Sequence, residues 1–110
     1  MAYDEELANR IRELVGLEAG VSEKKMFGGL AFLINGNMSV AASGQGGLLV
    51  RVAPEDSDKL IAQPHAELMV MGGRSMEGWL RVAPEGLRTK RELERWVKRG
   101  VSYARTLPSK

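Results

Sequence analysis

A chain of 110 residues with 44% apolar and 27% charged side chains has the usual size and balance of one compact domain, which excludes an intrinsically disordered or fibrous polymer. Its net charge is only +2 and it lacks cysteine, so a disulfide framework, thiolate metal ligands and cysteine nucleophiles are excluded, and a cytoplasmic location is expected. Asp4, Glu5, Glu6 and Glu13 interrupt the opening stretch, a pattern of neither a signal peptide nor a membrane-spanning segment.

Behind Asp4, which is placed to cap, Leu7, Ile11, Leu14 and Val15 recur at helical spacing, so an amphipathic helix is expected to run to the glycines at 16 and 20. The stretch "KKMFGGLAFLINGNMSVAAS" reads as two strands joined at Asn35-Gly36, a dipeptide that favours two-residue hairpin turns. Gly28-Gly29 inside the first strand marks a bulge or a close backbone approach. After the turn "SGQGG" comes a third strand, "GGLLVRV". The word "RVAPE" then stands at Arg51 to Glu55 and returns at Arg81 to Glu85. In both places the first residues finish an alternating strand, and the proline, which cannot donate to a ladder, suits the first turn of a helix. A true repeat would stay similar outside the shared word, but Leu48 would face Gly78 and Gln63 would face Leu93; the word is punctuation from strand to helix.

The first such helix is "PEDSDKLIAQ", stopping before Pro64. Two further strands, "AELMVMGG" and "MEGWLRVA", flank a turn at Gly72-Gly73-Arg74-Ser75. Met69 and Met71 alternate there with Leu68 and Val70, as in a strand buried on both faces. Thr89 with Glu92 three positions on forms a capping box that opens the last helix. Trp79 and Trp96 are the bulkiest candidates for the core. The expected fold is an α+β, two-layer domain over residues 1–110, with a five-stranded, mostly antiparallel sheet in the order α-β-β-β-α-β-β-α. The first strand connections are too short for parallel crossovers.

Catalytic constellations do not emerge from the sequence. His65, the sole histidine, follows Pro64 in a loop without a cysteine or histidine partner, so it reads as a surface residue. Asp56 and Asp58 lack the glycine and distal glutamate of a calcium loop and fit a helix start. No serine stands in a nucleophile elbow, and "GQGGL" joins two strands, which makes it a hairpin turn and not a phosphate cradle. No catalytic, cofactor-binding or metal-ligating residue is assigned, and the chain is expected not to be an enzyme.

Charge is distributed unevenly. Residues 1–23 hold six acids against Arg10 and Arg12, and residues 88–110 hold eight bases against Glu92 and Glu94. Such polarity steers an acidic partner, unless the terminal helices lie side by side and neutralise each other. In the last helix Leu93, Trp96, Val97, Gly100, Ala104 and Leu107 fall on one side, and Arg91, Arg95, Lys98 and Arg105 gather on the other. The basic side reads either as a solvated helix face or as a binding surface for an acidic protein, with nucleic acid as the alternative partner. Low net charge and the absence of interleaved aromatics favour the protein. A third reading is a small-molecule site on the sheet near Phe27, Arg51 and Arg74.

The "MFGG" at Met26 to Gly29, the strand and Asn35 turn behind it, "GRSMEGWLRV" at Gly73 to Val82 and the closing "ARTLP" together resemble the TfoX N-terminal domain family over nearly the whole chain. The resemblance implies a two-layer α+β fold similar in layout to secretion-chaperone-like domains. It also implies a regulatory or protein-binding role, because the family takes its name from regulators of natural competence that carry a second, C-terminal domain. This chain ends at Lys110 and resembles the stand-alone members. No catalytic residues come with the resemblance; the glycines of "MFGG" and the stretch from Gly73 to Trp79 are implied to serve folding. The expected function is a non-catalytic binding module acting through protein contacts, of which a homodimer through exposed sheet or helix faces is one form.

Overall fold

The computed structural model describes residues 4–16, 18–26, 28–44, 46–71 and 73–108. Helix α1 (Glu5–Val15) starts where the Asp4 carboxylate accepts the backbone N–H of Leu7 at 3.1 Å. Strands β1 (Val21–Met26), β2 (Gly29–Ile34), β3 (Asn37–Ala42) and β4 (Leu48–Arg51) follow. A 3-10 turn at Pro54–Asp56 leads into the single turn of α2 (Ser57–Leu60), and β5 (Ala66–Met71) and β6 (Arg74–Val82) come next. A second 3-10 turn at Pro84–Leu87 precedes α3 (Lys90–Arg105).

The strands form one sheet in the order β1-β2-β3-β4-β6-β5, with every ladder antiparallel. Six strands replace the expected five. The run through Lys25 and Gly28 is a hairpin and not one strand: Gly28 takes φ +74, and Val21–Met26 folds back along Gly29–Ile34. The added strand was hidden because "VSEKK" shows no apolar alternation. It lies at the sheet edge, where charged side chains are tolerated and discourage pairing with other chains.

At the second hairpin, Asn35 and Gly36 take φ +52 and +85 between paired Ile34 and Asn37, as a type I′ turn requires. Both copies of "RVAPE" do the same work: Ala53 and Ala83 are extended N-cap residues, each followed by proline at the first turn of a 3-10 segment. The remaining expectation for this region fails. Strand β5 is the other sheet edge and is not buried on both faces; Met69 is half-buried and Val70 is 64% exposed. Gly72 and the Met71 side chain lie outside the described residues.

Period-two alternation divides the sheet into two faces. Leu30, Phe32 and Ile34 of β2, Val40 and Ala42 of β3, Leu48 and Val50 of β4, and Leu80 and Val82 of β6 meet the apolar stripes of α1 and α3 in the main core. Trp96 is buried in it. The other face carries a smaller cluster of Ala31, Met38, Ala41 and Leu49, and half-buried Trp79 packs there instead of in the main core.

Where α3 crosses β3 the approach is close. A Cβ on Gly100 would lie 2.4 Å from the Ser39 carbonyl oxygen. Ser39 sits at an irregularity between β2 and β3, fully buried, with its hydroxyl donating to the Phe32 carbonyl at 2.8 Å. This contact fixes which side of α3 faces the sheet and therefore which side faces out.

Candidate functional site

The capping box is present: the Thr89 hydroxyl accepts the Glu92 N–H at 3.1 Å, and the Glu92 carboxylate accepts the Thr89 N–H at 3.3 Å. Helix α3 therefore begins on a fixed residue and buries Leu93, Trp96, Val97, Gly100, Val101 and Ala104. Arg91, Arg95, Lys98 and Arg105 are all exposed on the opposite side, as the helical spacing requires.

The four cations differ in what they meet. Arg105 is anchored, donating from Nη2 to the Glu18 carboxylate at 2.6 Å and to the Ala19 carbonyl at 3.2 Å. It is the one α3 cation among the described residues with an ion pair to the acidic N-terminal segment, so the charge asymmetry of the chain is mostly left unneutralised. Lys98 stands 3.7 Å from Glu94, one turn earlier, in an exposed pair that contributes about 0.3–0.5 kcal/mol. No hydrogen bond or ion pair engages Arg91 or Arg95 among the described residues.

Arg99, absent from the sequence-based set, completes this strip. Arg91, Arg95 and Arg99 stand at successive four-residue steps, about 6 Å of helix rise apart. Like charges at that spacing destabilise a helix by about 0.2–0.5 kcal/mol per pair. The i, i+4 repeat was the signal available in the sequence; it was obscured because Arg99 lies at the border of the apolar face. Its guanidinium carbon stacks 4.5 Å from the Trp96 ring centroid. Nη1 is enclosed without a hydrogen-bond partner, and no other acceptor engages the group among the described residues. Burial, with repulsion from Arg95 added, lowers its pKa from the usual guanidinium value.

A second arginine is held in a similar way. Arg51 pairs opposite Trp79 in the β4/β6 ladder, with its guanidinium 5.2 Å from the Trp79 ring and 5.7 Å from the Tyr103 ring. Tyr103 is the next four-residue step of α3 after Arg99. Alongside this end of α3 runs an open groove of about 690 Å³, with the Pro54–Leu60 segment as its other wall.

The remaining sequence candidates are not brought together with this surface. His65 is exposed in a loop, with φ +67, as a surface residue would be. Arg74 is exposed at the start of β6. Phe27 lies outside the described residues. Among the described residues there is no cluster of three metal-ligating side chains and no helix long and apolar enough to cross a membrane.

The fold and these motifs have a counterpart among known sequences. The family model described as the TfoX N-terminal domain matches residues 13–104, which spans α3 nearly to its end. No curated protein matches the chain. A match over most of its length, joined to the motifs and the α+β layout above, places the chain in the TfoX N-terminal domain family.

Proposed function

We propose that this chain is a non-catalytic, cytoplasmic regulatory module of the kind found in competence regulators, and that it acts by docking a protein partner on the outer side of α3. The observation that carries this reading is the strip of Arg91, Arg95 and Arg99, none of which has a carboxylate or carbonyl partner among the described residues. Guanidinium groups recognise carboxylates through paired N–H donors. Three such groups kept unpaired and mutually repelling are stabilised when an acidic segment covers them.

Direct nucleic-acid binding through the same side is the second reading, favoured by the exposure of Arg91 and Arg95. Three or four phosphate contacts would give a salt slope of only about −3 to −4 on logarithmic axes. Glu94 borders the strip, paired with Lys98, and opposes a continuous polyanion, so the protein partner is preferred.

A photoreactive residue placed at Ser102, which is exposed on this side of α3, tests the reading in cells. The expected result is a cross-link to one protein species, lost when the Arg91→Glu/Arg95→Glu pair is introduced and absent from a probe at Lys24 on the far sheet edge. A cross-link to nucleic acid would establish the second reading. Equal labelling from both positions would remove α3 as the docking face.

A further inference from the structure

The groove beside Tyr103 has features that the strip does not explain. Its walls differ in character: Lys98 and Arg99 stand on the α3 side, Leu60 with Val52 and Ala53 gives an apolar floor, and Lys59, Glu55 and Asp56 border it opposite. Its volume, about 690 Å³, falls in the range of sites that receive small groups or side chains. Arg99 is the feature that points to a ligand. Stacking on Trp96 holds the guanidinium in one orientation, so little side-chain freedom remains to be lost on binding. Nη1 is shut in without a partner, although buried polar atoms are nearly always paired, and Nε and Nη2 meet no acceptor among the described residues, which leaves those two donors for a carboxylate in the groove.

We propose that this groove receives an acidic peptide segment in which a carboxylate neighbours an aliphatic side chain, Arg99 taking the carboxylate and Leu60 with the Tyr103 ring taking the aliphatic group. The proposal rests on the reading of the chain as a protein-binding module and names the chemistry of what it binds. Lys59 and Lys98 flank the carboxylate position and add attraction at long range. Glu55 and Asp56 select against nucleic acid, since a phosphodiester chain brings charge at every unit and meets two carboxylates at the rim. A peptide presents its charges singly, and its backbone N–H groups suit those two acids.

The acetylated hexapeptide Glu-Leu-Glu-Leu-Glu-Leu is the probe, compared with its Gln-for-Glu analogue and with a twelve-nucleotide oligothymidylate, each titrated into the full chain. Nuclear magnetic resonance follows the Trp96 indole N–H and the Arg99 Nε–H. The acidic peptide should move both signals saturably, and the Gln analogue should bind at least tenfold more weakly. In the Arg99 variants the Trp96 indole N–H alone is read, and Arg99→Gln should abolish its shift. Arg99→Lys, which keeps the charge but loses the planar fork, should weaken binding several-fold. Lys59→Glu should also weaken binding by several-fold while leaving the Trp96 packing untouched, which guards against misreading an unfolded Arg99 variant. The proposal is overturned if no saturable shift occurs, if the Gln analogue binds equally, or if only the oligothymidylate moves the signals. Ser102 itself lines the groove, whereas Arg91 and Arg95 do not; absence of peptide binding together with a Ser102 cross-link that is still lost on Arg91→Glu/Arg95→Glu would reject the groove alone, and absence of that cross-link in the otherwise unchanged chain would reject the docking reading beneath it.

Discussion

Replacing Gly100 by alanine sets two known effects against each other. In an exposed helix interior the change stabilises by about 1 kcal/mol, because alanine is the better helix former. Here the new methyl would lie 2.4 Å from the Ser39 carbonyl oxygen, 2.7 Å from Val40 Cγ1 and 3.0 Å from the Ser39 carbonyl carbon, where ordinary contact begins at 3.4 Å. Helix α3 must therefore lift by about 1 Å, because Ser39 is buried and tied to Phe32 and cannot recede. Overpacking of this kind costs about 1–3 kcal/mol, and separation weakens the dispersion contacts of the other buried α3 side chains. Overpacking less the propensity gain leaves about 0–2 kcal/mol, and the lost dispersion adds to it, so Gly100→Ala should lower stability by up to about 2 kcal/mol. Urea unfolding monitored by tryptophan fluorescence reads the change as a lower midpoint at constant slope. A variant that gains about 1 kcal/mol, as an exposed helical glycine would, refutes the docking of α3 described here.

Ser57→Ala should cost about 1–3 kcal/mol, because the buried Ser57 hydroxyl accepts the Gly78 N–H at 2.7 Å and its loss leaves that donor unpaired; thermal unfolding measures it, and an unchanged midpoint would contradict the assignment. Thr89→Ala removes the capping side chain of α3 and should cost about 1 kcal/mol, with hydrogen exchange accelerated first at the N-terminal turn. Glu23 has its pKa held below the usual carboxylate value, chiefly by the hydrogen bond from Arg12, against a smaller opposing effect of burial. A carboxylate with a depressed folded-state pKa contributes stability above the unfolded value of about 4.3, and that contribution is lost as the pH falls through the lower folded value. Both side chains are more than a third exposed, so solvent screening limits the gain to less than about 1 kcal/mol. Carbon-detected titration of Glu23 should show the low midpoint, and Glu23→Gln should flatten the acid limb of stability below about pH 4.3; a Glu23 midpoint in the ordinary range would rule this out.

The legible parts of the fold were those set by local chemistry. Asn35-Gly36 needs no tertiary context to turn, and the Thr89 capping box and the two proline-led exits from strands likewise act within a few residues. Strand β1 was illegible because its pairing partner, and not its own side chains, makes it a strand. Met69 and Val70 were misplaced for a related reason: an apolar run looks the same at a sheet edge as at its centre, and only the connection order puts β5 outside β6. Trp79 went to the second sheet face because strand register, unseen in the sequence, decides which face a residue joins.

The basic strip was legible in outline. Spacing alone gave the outward side of α3, but it grouped Arg105 with the others. The Glu18 partner of Arg105 lies 87 positions away, and no pattern within the helix foretells it. Arg99 was missed for the opposite reason. Its stacking on Trp96 makes it part of the packed border of the helix while its donors stay unused, and both facts depend on where the ring lies.

The claim on which the functional account depends is that α3 meets its partner through charge. Its most direct test is the equilibrium affinity of the purified chain for the protein captured at Ser102, measured beside the Arg91→Glu/Arg95→Glu variant at fixed ionic strength. A loss of affinity of at least tenfold is expected, with thermal unfolding unchanged. Equal affinity in a folded variant would contradict it.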